Sequence, residues 1–226
     1  MTGPPALAVM ARAPGSEMVK SRLHAALGAA RATLLYRCFL LDGLEAAAAL
    51  PGLAPVLAYS PPRAVRAMAA LAPVGMRLIA QRGEDLGARM AHLAARLLAD
   101  GHGAALLIGS DLPTLPPAYL AEAARVLEEG AVDVVLGPAE DGGYYLIGLA
   151  RPVPALFEGI AWSTAGVLEA TRARARALGL REHLLPTWYD VDTPADLDRL
   201  RRDLARPGPG ARRTRRWLAA YAPERG

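Results

Sequence analysis

Short apolar runs that stop at a glycine, a proline or a carboxylate alternate along this chain with longer stretches of helical period. The runs are Leu7–Ala11, Ala54–Tyr59, Met76–Ala80, Ala104–Gly109, Val132–Leu136, Tyr144–Leu149 and a short one near His183–Leu185. Between them apolar residues recur at helical spacing, as at Leu34, Leu35, Cys38, Leu41 and Leu44, or at Leu86, Met90, Leu93, Leu97 and Leu98. Helices are predicted over about 30–50, 62–71, 86–100, 117–129 and 163–178, and a last core helix opens at Pro194. Strands that alternate with helices need crossover connections. The chain is therefore predicted to be an α/β fold with a mainly parallel sheet covered on both faces. Residues 1–205 are expected to form one domain. Residues 206–226 follow Pro207-Gly208-Pro209-Gly210 as a basic tail, in which Trp217, Leu218 and Tyr221 suit a short docking helix.

Such a sheet receives ligands beyond the carboxyl ends of its strands, so the residues that end each run carry the chemistry. Leu106-Leu107-Ile108-Gly109-Ser110-Asp111 is a buried strand that stops at a carboxylate. Asp111 is suited to hold a hard cation beside phosphates; a turn or cap before Leu112-Pro113 is the other use of an aspartate there. Far downstream, Asp192 precedes Thr193-Pro194-Ala195-Asp196, a helix start with Thr193 as cap and Asp196 facing the helix dipole. Capping does not use Asp192, which makes it the second candidate ligand; Asp190 competes with it and ranks lower. Of 26 lysines and arginines only Lys20 is a lysine. It follows the first strand with Arg22, and with Arg12 it offers cations to phosphates: lysine as a compact point charge, arginine as a two-pronged donor. The alternative is a chance lysine on an exposed loop.

Two further loops have a double reading. Glu140-Asp141-Gly142-Gly143-Tyr144-Tyr145 joins two strands. Glu140 and Asp141 are able to position or deprotonate an acceptor hydroxyl, and Asp-Gly is also the strongest hairpin signal in any sequence. Gln81 is placed to hydrogen-bond a base, with Asp85 either near it or capping the next helix. Trp162, Ser163 and Thr164 line an acceptor pocket, or Ser163 caps the helix that follows. The loop after the first strand lacks both the P-loop spacing and Gly-x-Gly-x-x-Gly, which argues against a kinase or dehydrogenase.

Composition removes other classes. No apolar run approaches the roughly 20 residues that span a bilayer, and Arg12 and Lys20 follow the first apolar stretch instead of preceding it, unlike a signal peptide. Cys38 is the single cysteine, so no internal disulfide forms and a cytoplasmic location is expected. The net charge of +4 lies mostly in the arginine-rich tail, and aromatic residues are scarce at 5%. Neither points to a nucleic-acid partner.

Taken in order, several segments resemble a known pattern. They are Ala11-Arg12-Ala13-Pro14-Gly15 through Val19-Lys20-Ser21-Arg22-Leu23, Gly109-Ser110-Asp111-Leu112-Pro113, Leu136 through Gly148, Trp162-Ser163-Thr164 and Asp190-Val191-Asp192-Thr193-Pro194-Ala195-Asp196-Leu197. The chain is similar to a bacterial family of nucleotide-diphospho-sugar transferases of GT-A fold, labelled glycosyltransferases and associated with arsenosugar loci. That family is related to phospholactate and molybdenum-cofactor guanylyltransferases. The resemblance implies a three-layer α/β/α sandwich in which the strand after Asp141-Gly142-Gly143 runs antiparallel. It implies Mg²⁺ or Mn²⁺ near Asp111 and Asp192, and a nucleotide near Ala11, Arg12, Lys20, Arg22, Gln81, Asp85, Gly109 and Ser110. A small acceptor is implied near Gly142, Gly143, Tyr144, Trp162 and Ser163. Catalysis would then fall to Lys20, Arg22, Asp111 and Glu140 or Asp141, and a homodimer is compatible with this. One departure stands out: Glu17 puts a negative charge where phosphate should pass, so its side chain must turn away. Three activities follow as expectations: sugar transfer from a nucleotide-diphosphate sugar, nucleotidyl transfer from a triphosphate to a phosphorylated acceptor, or nucleotide binding without turnover.

Overall fold

The computed structural model describes residues 2–15 and 18–221. In chain order the elements are β1 (Ala6–Arg12), α1 (His24–Leu27), α2 (Ala29–Ala48), β2 (Ala54–Ser60), α3 (Val65–Ala69), β3 (Arg77–Ala80), α4 (Leu86–Ala99), β4 (Ala105–Gly109) and α5 (Pro117–Glu128). They continue with β5 (Val134–Pro138), β6 (Tyr144–Leu149), α6 (Val167–Ala177), β7 (Glu182–Leu184), α7 (Pro194–Ala205) and α8 (Arg212–Ala220). The strands form one seven-stranded sheet in the order β3-β2-β1-β4-β6-β5-β7. Among the described residues only β6 is reversed: it pairs antiparallel with both β4 and β5, while β1 pairs parallel with β2 and β4. The antiparallel strand after Asp141-Gly142-Gly143 is thus present.

Alternation along β1 explains the two-sided core. Leu7, Val9 and Ala11 pack on one face with Leu40, Leu44, Leu106 and Leu120. Ala6 and Ala8 pack on the other with Met90, Leu93, Leu97, Ile147 and Phe157. Successive strand residues point to opposite faces, so a strand buried on both sides must be apolar throughout, as this run is. Each fully buried leucine contributes about 1.5–3 kcal/mol. A third cluster lies beyond α2, where Leu35 and Phe39 meet Leu197 and Leu200 of α7 and Trp217 and Leu218 of α8.

One boundary moves. The expected helix from Ser163 begins only at Val167, with Gly166 as its N-cap. Ser163 has a positive φ of 65° and does not cap it. The cause is the β5–β6 turn: the Leu168 amide donates to Gly142 O at 2.9 Å, and a Cβ on Gly142 would collide with the Ala165 carbonyl. Close docking of these loops replaces the first helical turn. Among the described residues no helix is long and apolar enough to cross a membrane.

Candidate active site

β1 leads into α2 and then to β2 on one side, whereas β4 lies on its other side, so the strand order switches direction between β1 and β4. Crevices at such switch points take ligands. A cleft of about 700 Å³ opens there, lined by Arg12, Lys20, Arg22, Gln81, Arg89, Ser110, Asp111 and Asp192. An adjoining cavity of about 540 Å³ shares Arg22, Asp111, Trp162 and Asp192 and adds Asp141, Gly143, Tyr144, Tyr145 and Asp190.

Lys20 sits where the two halves meet. Its ammonium Nζ lies 2.7 Å from Asp111 Oδ2 and 2.5 Å from Asp192 Oδ1. The lysine side chain is only 2% exposed, while the aspartates are 30% and 38% exposed and face the cleft. Burial pulls the Lys20 pKa down, but the charges and hydrogen bonds of the two aspartates outweigh it and hold the ammonium above the ordinary lysine value. Lys20 was expected to offer its charge to phosphate; in the structure its ammonium joins two carboxylates remote from it in sequence. Its backbone is left-handed, with φ 52°, which swings the side chain inward.

The backbone holds this trio together. The Val191 amide donates to Asp111 O at 3.2 Å. Thr193 and Asp196 form a reciprocal cap on α7, and Asp196 Oδ2 also accepts from the Asp192 amide at 3.2 Å. The cap therefore holds the Asp192 backbone and leaves its carboxylate to the cleft. On the other flank Tyr36 Oη accepts from the Arg12 amide at 3.0 Å, donates to Arg12 O at 2.9 Å and lies 3.1 Å from Ser110 Oγ. Tyr36 thus ties the end of β1 to the end of β4. The helical spacing of α2 concealed it among core residues; its phenol hydroxyl was the available signal.

Other expected residues divide. Gln81 lines the cleft, but its Nε2 donates to Ala58 O at 2.8 Å and Ala11 O at 3.4 Å, joining β1 to β2. Asp85 lines it too while capping α4 through the Ala88 amide at 2.7 Å. Gly109 is exposed at the end of β4. Glu140 turns away: it pairs with Arg199 at 2.7 Å and lines neither half of the cleft. Asp141 remains, its Oδ1 accepting from the Gly143 amide at 2.9 Å. Asp141-Gly142 is thus the turn between β5 and β6, and Asp141 also lines the adjoining cavity. Gly142 shapes that turn through its φ of 88°. Trp162 packs over Gly87, where any Cβ would collide with its ring. Glu17 lies outside the described residues, and with it the expectation that its side chain turns away. Arg89 and Asp190 are cleft residues that the sequence reading left out or ranked lower. Burial, then the charges of Asp192 and Asp141, raises the Asp190 pKa well above the usual carboxylate range. Asp192 also feels burial, but Lys20 holds it below that range.

Asp111 and Asp192 offer hard oxygen donors within reach of one point, which suits a small divalent cation that takes its other ligands from phosphates and water. Among the described residues no group of three or more histidine, cysteine, aspartate or glutamate side chains is arranged to hold a metal.

Residues 43–164, more than half of the chain, match the family model described as "Uncharacterized protein conserved in bacteria (DUF2064)". The chain belongs to the DUF2064 family. A phosphoenolpyruvate guanylyltransferase of Rubrobacter xylanophilus is 33% identical over 200 residues, spanning 86% of this chain and 94% of the relative. A protein of Desulfovibrio desulfuricans G20, described provisionally as a nucleotide-diphospho-sugar transferase, superposes on this DUF2064 member with a TM-score of 0.87 at 33% identity, over 96% of this chain and 95% of that one. A CMP:2-keto-3-deoxy-manno-octonic acid synthetase bound to CTP shares the fold at TM-score 0.58 and 16% identity, over 90% of this chain and 99% of that one. The sheet with its one reversed strand, covered by helices on both faces, is accordingly the nucleotide-diphospho-sugar transferase fold that the sequence resemblance implied.

Proposed function

We propose that this DUF2064 protein is an Mg²⁺- or Mn²⁺-dependent transferase that moves a sugar from a nucleotide-diphosphate sugar to a small acceptor. The observation that carries the reading is the convergence of Asp111 and Asp192 on one point at the sheet's switch-point cleft. Asp111 and Asp192 would hold the ion, and neutralisation of the leaving diphosphate is what it would supply. Arg12, Arg22 and Arg89 line the same half and suit the phosphates. Lys20 keeps the two aspartates together and adds positive charge beside them. In the transfer the acceptor oxygen bonds to the anomeric carbon as that carbon's bond to the diphosphate breaks. The nucleoside diphosphate leaves with the electron pair, and the hydroxyl proton passes to Asp141.

A second reading, nucleotidyl transfer from a triphosphate with loss of pyrophosphate, is favoured by the Rubrobacter guanylyltransferase, 33% identical over most of both chains. One incubation separates the two. Purified protein with Mg²⁺ is given sugar nucleotides in one arm and nucleoside triphosphates in the other, each with an acceptor mixture. Nucleoside-diphosphate release supports sugar transfer and pyrophosphate release supports the second reading. Binding without either product means a non-catalytic nucleotide-binding protein.

A further inference from the structure

The three tryptophans of the chain have different neighbours. Trp188 meets Tyr119 edge-on with ring centroids 5.7 Å apart, and Trp217 meets Tyr221 at 4.7 Å. Trp162 meets no other ring among the described residues. It is half-buried, packed on the edge of the core cluster that holds Met90 and Leu93. It also lines both halves of the cleft. The other side chains common to the two halves are Arg22, Leu86, Asp111, Ser163 and Asp192. Among the described residues Trp162 is thus the one aromatic side chain at the join.

Local structure holds the ring there. Gly87, buried in the first turn of α4, lies against the indole: a Cβ at that position would come within 2.4 Å of Cζ2 and 2.7 Å of Nε1. Without a side chain the helix lets the ring lie down on it. On the loop, Thr164 Oγ1 donates to Ala161 O at 2.8 Å and closes a turn around Trp162 and Ser163. Ser163 takes a left-handed φ of 65° within this turn. Among the described residues three that are not glycine have a positive φ, and two of them, Lys20 and Ser163, line the cleft. Strain of this kind persists where the surroundings fix it, and it gathers at ligand sites. A large apolar ring fixed at a cleft, with no ring of its own chain against it, is a surface for the flat face of a ligand.

In sugar transfer the migrating group lies between the diphosphate and the acceptor, which is the join of the two halves. A hexose in its chair form carries a patch of C–H groups on one face and hydroxyls around its edge. The patch matches an indole face, and Arg22 and Ser163 stand beside the ring as partners for the hydroxyls. We propose that Trp162 is the platform on which the transferred hexopyranosyl ring stacks, and that the donor is accordingly a nucleotide-diphosphate hexopyranose. This inference rests on the sugar-transfer reading above and narrows it. In nucleotidyl transfer a phosphorus would occupy the join, and an indole face has nothing to offer it.

Matched pairs of ligands test it. ADP, UDP and GDP are compared with ADP-glucose, UDP-glucose and GDP-mannose, so that each pair differs only by the hexosyl group. Each is titrated by calorimetry, with and without Mg²⁺, into the parent, Trp162→Ala, Trp162→Phe and Gly87→Ala. For at least one pair the parent should bind the sugar nucleotide about tenfold more tightly than the diphosphate. Trp162→Ala should lose that margin while its affinity for the diphosphate stays within about twofold of the parent's. Trp162→Phe should keep most of the margin. Gly87→Ala should lose it with the indole still present, because the added methyl displaces the ring. A tryptophan that serves packing alone would weaken both members of a pair alike. A margin that survives in Trp162→Ala, or a parent with no margin in any pair, overturns the platform and leaves Mg²⁺-dependent nucleotide binding standing. No Mg²⁺-dependent binding of any of these ligands overturns the transferase reading and the platform with it.

Discussion

Two buried ionic centres join the beginning of this chain to its end, and they are built to opposite purposes. Lys20 meets Asp192 across 172 residues, and Asp42 meets Thr214 across the same separation. At the second centre the acid is the buried partner, only 3% exposed at the side chain. Asp42 Oδ2 accepts from the Thr214 amide at 2.8 Å and Oδ1 from the Arg213 amide at 3.1 Å, at the first turn of α8, with the Arg213 guanidinium 3.3 Å away. Its oxygens are filled by donors of the same chain, and a carboxylate at a helix start is favoured by the helix dipole. At the first centre the base is buried, and the two acids keep roughly a third of their surface open to the cleft. One centre is closed and fastens α8 to α2; the other leaves its carboxylates able to take a further cation. A buried ion pair by itself thus says little about function. Which partner remains exposed decides the matter.

Substitutions at the two centres should separate accordingly. The largest effect belongs to Asp111→Asn, for which turnover should fall by at least about 100-fold while the melting temperature changes little; an unchanged rate in a folded variant removes the metal role. Next is Asp42→Ala, which strands two backbone amides and should lower stability by about 2–3 kcal/mol in urea unfolding. Its rate per folded molecule should equal the parent's, and a selective loss of rate would erase the contrast between the centres. Lys20→Ala should slow turnover by roughly tenfold, less than the aspartate change because neighbouring arginines share the phosphate charge. Its melting temperature should also rise more steeply with Mg²⁺ than the parent's, since Asp111 and Asp192 then no longer share their charge with the ammonium. Equal Mg²⁺ responses would mean that the lysine does not compete with the ion for those carboxylates. Glu140→Gln should do least, costing under about 1 kcal/mol as an exposed pair with Arg199 and leaving turnover within twofold of the parent's.

The sequence made the sheet readable because strands buried on both faces must be apolar throughout and helices must keep their period. Asp111 and Asp192 could be singled out for a related reason: Asp111 follows β4 and Asp192 precedes the cap of α7, and neither element's own needs consume them. Thr193 and Asp196 form the cap that would otherwise have claimed Asp192. What stayed hidden depends on three-dimensional neighbours. Nothing in Lys20-Ser21-Arg22 says that the lysine turns inward between two remote carboxylates. Glu140 and Asp141 are adjacent and chemically alike, yet Arg199, 59 residues away, draws one outward while the turn keeps the other in. The helix expected from Ser163 lost its first turn to the docking of Ala165 on Gly142, a contact between segments with no shared local pattern. Tyr36 was not among the residues singled out on α2, although its hydroxyl links the ends of both strands that frame the cleft.

The most direct test is a thermal-shift titration of nucleotides and sugar nucleotides, with and without Mg²⁺, on the parent, on Asp192→Asn and on Asp42→Ala. A ligand that binds only the folded state raises its melting temperature. An Mg²⁺-dependent rise in the parent that persists in Asp42→Ala and disappears in Asp192→Asn is the expected result. A rise of equal size in Asp192→Asn would contradict the claim that Asp111 and Asp192 together hold the cation that binds the nucleotide.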